Sequence, residues 1–559
     1  MNKGEMETSY RLEKKITLPK RKIHKTPRIL MADAYTIGSN GFESEEAKEK
    51  SVYYITFRKR LHEINPHIYR KGDDRILMVG LQRVLDYLFY EPITHAEIDE
   101  AKEFLKHGKV TTKGFTNYPF PEEIWRRVVD EFNGRPPIIV EALPEGSVYY
   151  PNEPVVQITC PISSMGVLAA WFESKLLQIW ATTEMLTQDE HVLNRLKEKI
   201  RLVDPDMSEE MQNFYASILI TNFGDRAAIC PEESEILGMT TLYTFGGTDT
   251  FAGAYQAWKN CDDKEKAIGI YSSVHALAHR NVQSYINEQD CYNAIYNYIN
   301  NDEIGSMVND CYDAKNSTKN MLLPLAIKSL KEVNGKVVVA RPDSHKEDYT
   351  MKQQVLEICN LANENGLTNT ISTKTGMWKT GTLFKFLDGD GETFAGIFDI
   401  IDSLIENKYA FYTCGLFGIG GTFRNNLKRD NLSAKYALAS VGKDNRPVIK
   451  FSECIGKGTL CGPFKLLRTP EALKNKKTIV FEHEEGENAY VEYFNGTRIF
   501  KPFGIGQDDD FLIIKANKTE QMRTMPLSLE TEENHNYPAS DAIMKKKQEL
   551  LEFYAPNKK

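Results

Sequence analysis

The 559-residue chain lacks most of the features that would classify it quickly. It has nine cysteines, an odd number, and no C-x-x-C pair. That argues against a zinc ribbon or a disulfide framework and for reduced thiols in a cytoplasmic protein. No run approaches the length of apolar sequence a membrane span needs, so no membrane partner is expected. The first residues carry no apolar signal-peptide core. Positive charge is not in excess: 70 Lys and Arg face 78 Asp and Glu, a formal net charge of −8. A general nucleic-acid binder needs clustered cations against the phosphates, so no nucleic-acid partner is expected. The basic run Lys20–Lys25 reads as part of a solvated tail over residues 1–28. Internal repeats and low-complexity tracts are absent too.

What is present is the composition of a globular protein, with 41% hydrophobic and 26% charged residues over a length suited to two or three domains. Val52–Phe57 reads as a strand and Arg75–Tyr90 carries a helical stripe. Short β-like runs fill 137–161, and Ala170–Thr183 is helical in pattern. From about 215 to 430 the rhythm changes to strand, polar loop, helix, strand, as in parallel βα units. Thr240–Thr244, Val337–Ala340, Leu383–Leu387 and Tyr409–Thr413 are the candidate strands. Lys352–Asn363, stopped by Gly366, and Phe394–Ile405 are helices. Beyond 430, Thr478–Phe481 and Ala489–Phe494 read as strands. A hairpin is expected at Asn495-Gly496 leading into Thr497–Phe500, and a last helix over Ala542–Tyr554.

The chemistry-bearing residues follow the candidate strands, where the loops of a βα barrel build its active site. His275 and His279 stand four apart and would share a helix face, which suggests zinc. The zinc-protease pattern needs a Glu where Ala276 stands, and no cysteine lies near, so no metal ligand set is assigned. Arg341-Pro-Asp343 offers a planar fork for phosphate and a carboxylate for ribose hydroxyls. Gly418-Ile-Gly-Gly421, followed by Arg429, lets backbone N–H groups approach a phosphate. Phe223-Gly-Asp-Arg226 joins an aromatic face to a cation, and Asp249 either binds a ligand or caps a helix from Thr250 or Phe251.

In order, Asp33-Ala-Tyr35, Phe223-Gly-Asp-Arg226, Gly247-Thr-Asp249-Thr, His279, Arg341-Pro-Asp343-Ser344, Gly389-Asp390-Gly391, Phe417-Gly-Ile-Gly-Gly421, Arg429-Asp430 and Leu467-Arg-Thr-Pro470 resemble the nicotinamide phosphoribosyltransferase family. The resemblance implies an irregular α/β barrel of the type II phosphoribosyltransferases over 211–430. It also implies a mainly β (α+β) domain from 29–210 plus 431–559, and a homodimer. It implies transfer of phosphoribosyl from phosphoribosyl pyrophosphate to nicotinamide, with Mg²⁺ on the pyrophosphate and ATP as a coupled co-substrate that phosphorylates His279. The pyridine ring would stack between Phe223 and Tyr35 of the partner subunit, which also brings Asp33 to the shared site, and Asp249 would bind the carboxamide. Arg226, His279 and Arg341 would hold pyrophosphate, and Asp343 the ribose, with Gly389 and Asp390 beside the nucleotide. Gly420, Gly421 and Arg429 would hold the 5′-phosphate, with Asp310 orienting His279. The chain departs from the family pattern at Ala278, where an acidic residue is expected, and at Asp225 and Ile419. The alternatives are a nicotinate phosphoribosyltransferase, a barrel metal-dependent hydrolase built on His275 and His279, and a catalytically silent binding protein.

Overall fold

Two large sheets of opposite character divide the chain. The computed structural model describes residues 25–106, 108–451, 458–496, 510–531 and 537–554. Most of the expected tail, the hairpin return Thr497–Phe500 and Cys454 lie outside the described residues. The eight described cysteines are free thiols.

The first sheet has seven parallel strands. In spatial order they are His275–Ala276, Ile304–Val308, Val337–Arg341, Phe384–Asp388, Gly415–Ile419, Ile220–Asn222 and Gly247–Thr248. A single parallel bridge, Gly247 to Ser272, joins the two edges and curls the sheet into a barrel. Val338, Val339 and Ala340 are buried, which explains their unbroken apolar run. Helices alternate with the strands and cover the outside. Met351–Glu364 starts on a capping box of Thr350 with Gln353 and stops before Gly366, whose φ of +70° suits a residue without Cβ. Phe394–Glu406 starts on the Thr393 hydroxyl, which accepts from Gly396 N–H.

The second sheet is antiparallel, ordered Arg446–Pro447, Lys435–Val441, Ser51–Thr56, Pro154–Cys160, Ile139–Ala142 and Val491–Phe494. Ser51–Thr56 lies between strands from early and late in the chain, so both ends of the sequence build one layer. The 25-residue helix Ile179–Val203 links the two parts. It ties to the barrel through Lys199 and Asp402, and to the late helix Phe511–Thr524 through a buried Glu190–Lys518 ion pair at 2.5 Å. The expected class, an α/β barrel with a second α+β unit, is what the chain adopts. No helix among the described residues is long and apolar enough to cross a membrane.

Three local expectations are corrected, and the helical reading of 170–183 holds as several helices. The stripe over 75–90 is helical only at Leu81–Phe89, because Gly80 at φ +101° breaks it and Ile76–Leu77 pairs with Val148–Tyr149. Ala170–Thr183 is two short helices leading into Ile179–Val203. Thr240–Thr244 lies at the end of helix Pro231–Leu242, and the strand is Gly247–Thr248. Tyr409–Thr413 is not a strand: the chain turns through Phe411–Cys414 and the strand is Gly415–Ile419, which takes in half of the glycine-rich segment.

Candidate active site

Every strand of the parallel sheet ends at one of the singled-out residues. Phe223 follows Asn222, and Asp249 follows Thr248. His279 opens the helix just after His275–Ala276, and Asp310 lies just past Val308. Arg341 closes its strand with Asp343 beyond it, and Gly389 and Asp390 follow Asp388. Gly420 and Gly421 follow Ile419. Ligands of parallel barrels are met at this edge.

The centre is a chain of contacts around His279. Its Nε2 lies 3.0 Å from Asp310 Oδ1 and 3.8 Å from Asp343 Oδ2. The Ser344 hydroxyl donates to the other Asp310 oxygen at 2.5 Å. Asp310 therefore holds one imidazole nitrogen and leaves the other exposed. Arg341 donates from Nη2 to the Leu277 carbonyl at 2.6 Å, tying its strand to the loop that carries His279. Its buried Nε has no protein acceptor among the described residues, so the fork keeps a donor for a ligand. Burial lowers the Arg341 pKa and raises that of Asp343, the latter against the pull of the adjacent guanidinium. Burial also lifts the Asp388 carboxyl to about 7.

Two glycines are required by contact. A Cβ on Gly389 would stand 2.2 Å from Asp343 Oδ1, and one on Gly418 would stand 2.7 Å from the Phe223 ring. Asp249 does not cap the helix Phe251–Lys259; its carboxylate instead accepts a hydrogen bond from the Ser273 hydroxyl across the barrel joint. A cavity of about 890 Å³ opens beside Phe223, Asp249 and Arg341 and descends into the barrel between Ser306, Val339 and Lys385. Burial lowers the Lys385 pKa, and the Ser306 hydroxyl has no partner among the described residues.

Not every expected residue converges within one chain. Tyr35, 66% exposed, and Asp33 lie on and before the short helix Ala34–Ser39, beside Glu173 rather than the barrel. Arg429 pairs with Asp430 at 2.7 Å and is exposed. Arg226 is exposed on the turn Gly224–Ala227, on the side of Arg341. The two histidines part company: His275 belongs to a strand, lies 3.8 Å from Glu303 and packs edge-on against Tyr298, so it shares no helix face with His279. Sequence reasoning missed Ser273, Ser306, Lys385 and the role of Ser344. Only Ser344, next to Arg341-Pro-Asp343, carried a local signal.

No family model matches the chain. The chain is 24% identical over 451 residues, 79% of its own length and 87% of the relative's, to the nicotinamide phosphoribosyltransferase of Xanthomonas campestris pv. campestris (strain 8004). Its fold is similar to human nicotinic acid phosphoribosyltransferase, with a TM-score of 0.55 and 14% identity, covering 93% of this chain and all of that one. It is likewise similar to nicotinate-nucleotide pyrophosphorylase from Pyrococcus furiosus, with a TM-score of 0.53 and 14% identity, covering 90% and 98%. The chain is thus similar in sequence to a nicotinamide phosphoribosyltransferase and similar in fold to these two solved structures.

Proposed function

We propose that the chain joins nicotinamide to phosphoribosyl pyrophosphate, giving nicotinamide mononucleotide and pyrophosphate for NAD biosynthesis. The observation that carries the choice of base is Asp249, at the cavity mouth beside Phe223 and held by Ser273. A carboxylate there accepts from a carboxamide NH₂ and repels the carboxylate of nicotinate. A fully buried repulsion costs roughly 3–5 kcal/mol. Asp249 is exposed in the single chain, so solvent reduces this to roughly 1–2 kcal/mol, or about tenfold in base preference.

The ring nitrogen attacks C1 of ribose, the bond from C1 to the pyrophosphate oxygen breaks, and the electron pair leaves with pyrophosphate. Positioning and charge stabilisation carry such a step. Arg341, Arg226 and His279 take the pyrophosphate, and Asp343, Gly389 and Asp390 the ribose. Gly420 and Gly421 take the 5′-phosphate, with Arg429 turning from Asp430 to meet it. Mg²⁺ arriving on the pyrophosphate oxygens would offset their charge, and the carboxylates at the strand ends suit a hard cation. ATP coupling runs through His279: the γ-phosphoryl moves to the imidazole nitrogen that Asp310 leaves open, ADP departs, and water later takes the phosphoryl group. A homodimer supplies the partner subunit's Tyr35 to the other face of the ring, and the free thiols suit a cytoplasmic setting.

One observation favours nicotinate instead: Lys385 places a cation inside the same cavity. The test is phosphoribosyl pyrophosphate with Mg²⁺ and either base, with and without ATP, products read by mass. Nicotinamide mononucleotide as the main product supports the proposal. Nicotinate mononucleotide alone moves the assignment to that base, and neither product overturns both.

A further inference from the structure

Beside the site, residues from two loops meet in a group that the proposed reaction does not use as a group. His345 follows Ser344 after one strand, and Asp390 and Glu392 follow the next strand but for Gly389 and Gly391. One ligand atom from each of the three lies within 4.8 Å of the others. His345 Nδ1 already touches Asp390 Oδ2. We propose that His345, Asp390 and Glu392 hold a first-row divalent cation that the protein binds without substrate.

The geometry suits an ion. Two atoms each about 2.1 Å from a common metal lie roughly 3–4 Å apart, so a small adjustment of the three side chains encloses one. Both loops are anchored. The Gln354 side chain donates to the Ser344 carbonyl at 2.9 Å, fixing the backbone that leads into His345. The Thr422 hydroxyl reaches the carbonyls of Gly391 and Glu392 at 3.0 and 3.1 Å. Gly396 makes room for the Glu392 carboxylate, since a Cβ there would stand 2.1 Å from Oε2. Behind the group sits Asp388, 1% exposed, whose buried Oδ2 has no partner among the described residues. No lysine or arginine among the described residues pairs with Asp388, Asp390 or Glu392, so one imidazole stands against three carboxyl groups. One imidazole with two carboxylates favours Mn²⁺, Co²⁺ or Zn²⁺ over Mg²⁺, which prefers oxygen ligands and water. Three protein ligands leave further coordination positions open to water. This cation differs from Mg²⁺ carried in on pyrophosphate, because it needs no phosphate.

The experiment is a Mn²⁺ titration of the full chain by electron paramagnetic resonance, with no substrate present. About one equivalent is expected to bind. His345→Ala and Glu392→Gln should each weaken it at least tenfold, and His275→Ala should leave it unchanged. Equal Mg²⁺ should not displace it. Circular dichroism and the melting temperature establish that the variants fold. Absence of Mn²⁺ binding, or equal binding in both site variants, overturns the proposal. The outcome is separable from the transfer reaction. Bound Mn²⁺ without mononucleotide synthesis leaves the metal site standing, and synthesis without bound Mn²⁺ removes the site alone.

Discussion

Gly389 offers a sharp probe of the proposed ribose grip. Its missing Cβ leaves 2.2 Å to Asp343 Oδ1, 3.2 Å to Asp343 Cγ and 3.3 Å to Arg341 Cγ. Non-bonded heavy atoms settle at roughly 3.5 Å, so an alanine displaces the Asp343 carboxylate by roughly 1 Å. A misplacement of that size at a reacting centre costs about 10²-fold, or about 2.7 kcal/mol. The expected result for Gly389→Ala is a loss of that order in kcat/KM for phosphoribosyl pyrophosphate, with the pyridine KM little changed. Gly418→Ala is the internal comparison. Its Cβ would meet the Phe223 ring at 2.7 and 2.9 Å, so its effect should fall on the pyridine KM instead. Steady-state kinetics with each substrate varied in turn reads both, and thermal melts check folding. Wild-type kcat/KM for phosphoribosyl pyrophosphate in a folded Gly389→Ala protein would refute the assignment of Asp343 to ribose.

Asp249→Asn should raise nicotinate use relative to nicotinamide about tenfold, by removing the charge while keeping a hydrogen-bonding side chain; an unchanged ratio in paired assays sinks its role in base choice. His279→Ala should abolish ATP stimulation and ATP hydrolysis while some uncoupled synthesis survives, and retained stimulation would reject the phosphohistidine. Glu184, buried beside Asn431 and the Lys428 N–H, has its pKa raised from 4.5 to about 7, chiefly by burial. The folded state therefore binds a proton that the unfolded state has released, and Glu184's stabilising share is lost as pH climbs from 4.5 to about 7. Glu184→Gln should flatten that decline and melt higher than the parent at pH 8, by roughly 1–3 kcal/mol in urea unfolding; a parallel pH profile would count against it.

The barrel was legible where burial writes a plain pattern. Val337–Ala340 is apolar throughout because it is covered on both faces, and Phe394–Ile405 shows one apolar stripe because only one face is covered. It was illegible where polar side chains are buried. Helix Ile179–Val203 buries Thr183, Glu184, Thr187, Gln188, Asp189, Glu190 and His191, so no stripe stands out. Thr240 and Thr241 resemble strand residues, yet their hydroxyls donate back to the carbonyls of Ile236 and Leu237 within a helix. Gly415 hides a strand because any Cβ there would stand 2.3 Å from the Phe386 carbonyl oxygen. In the site, residues just after a strand could be named one by one. Pairings such as Ser344 with Asp310, or His345 with Asp390, join separate βα units and have no sequence spacing to announce them.

The joint of the barrel is its thinnest seam. Between Gly247–Thr248 and Ser272 the ring of strands is held by one bridge, with Thr248 N–H on the Ser272 carbonyl at 2.9 Å and Ser272 N–H on the Gly246 carbonyl at 2.8 Å. Its other joints pair two or more residues each, so local opening is expected here first. Two side chains also clasp the gap: the Ser272 hydroxyl on the Gly246 carbonyl at 3.3 Å, and Ser273 on Asp249, the group proposed to choose the base. On the proposed role of Asp249, a bound carboxamide would draw on a hinge as well as a pocket: it would suture the ring, and a base that repels Asp249 would not. Amide exchange at Thr248 and Ser272 becomes a gauge of which base the barrel accepts.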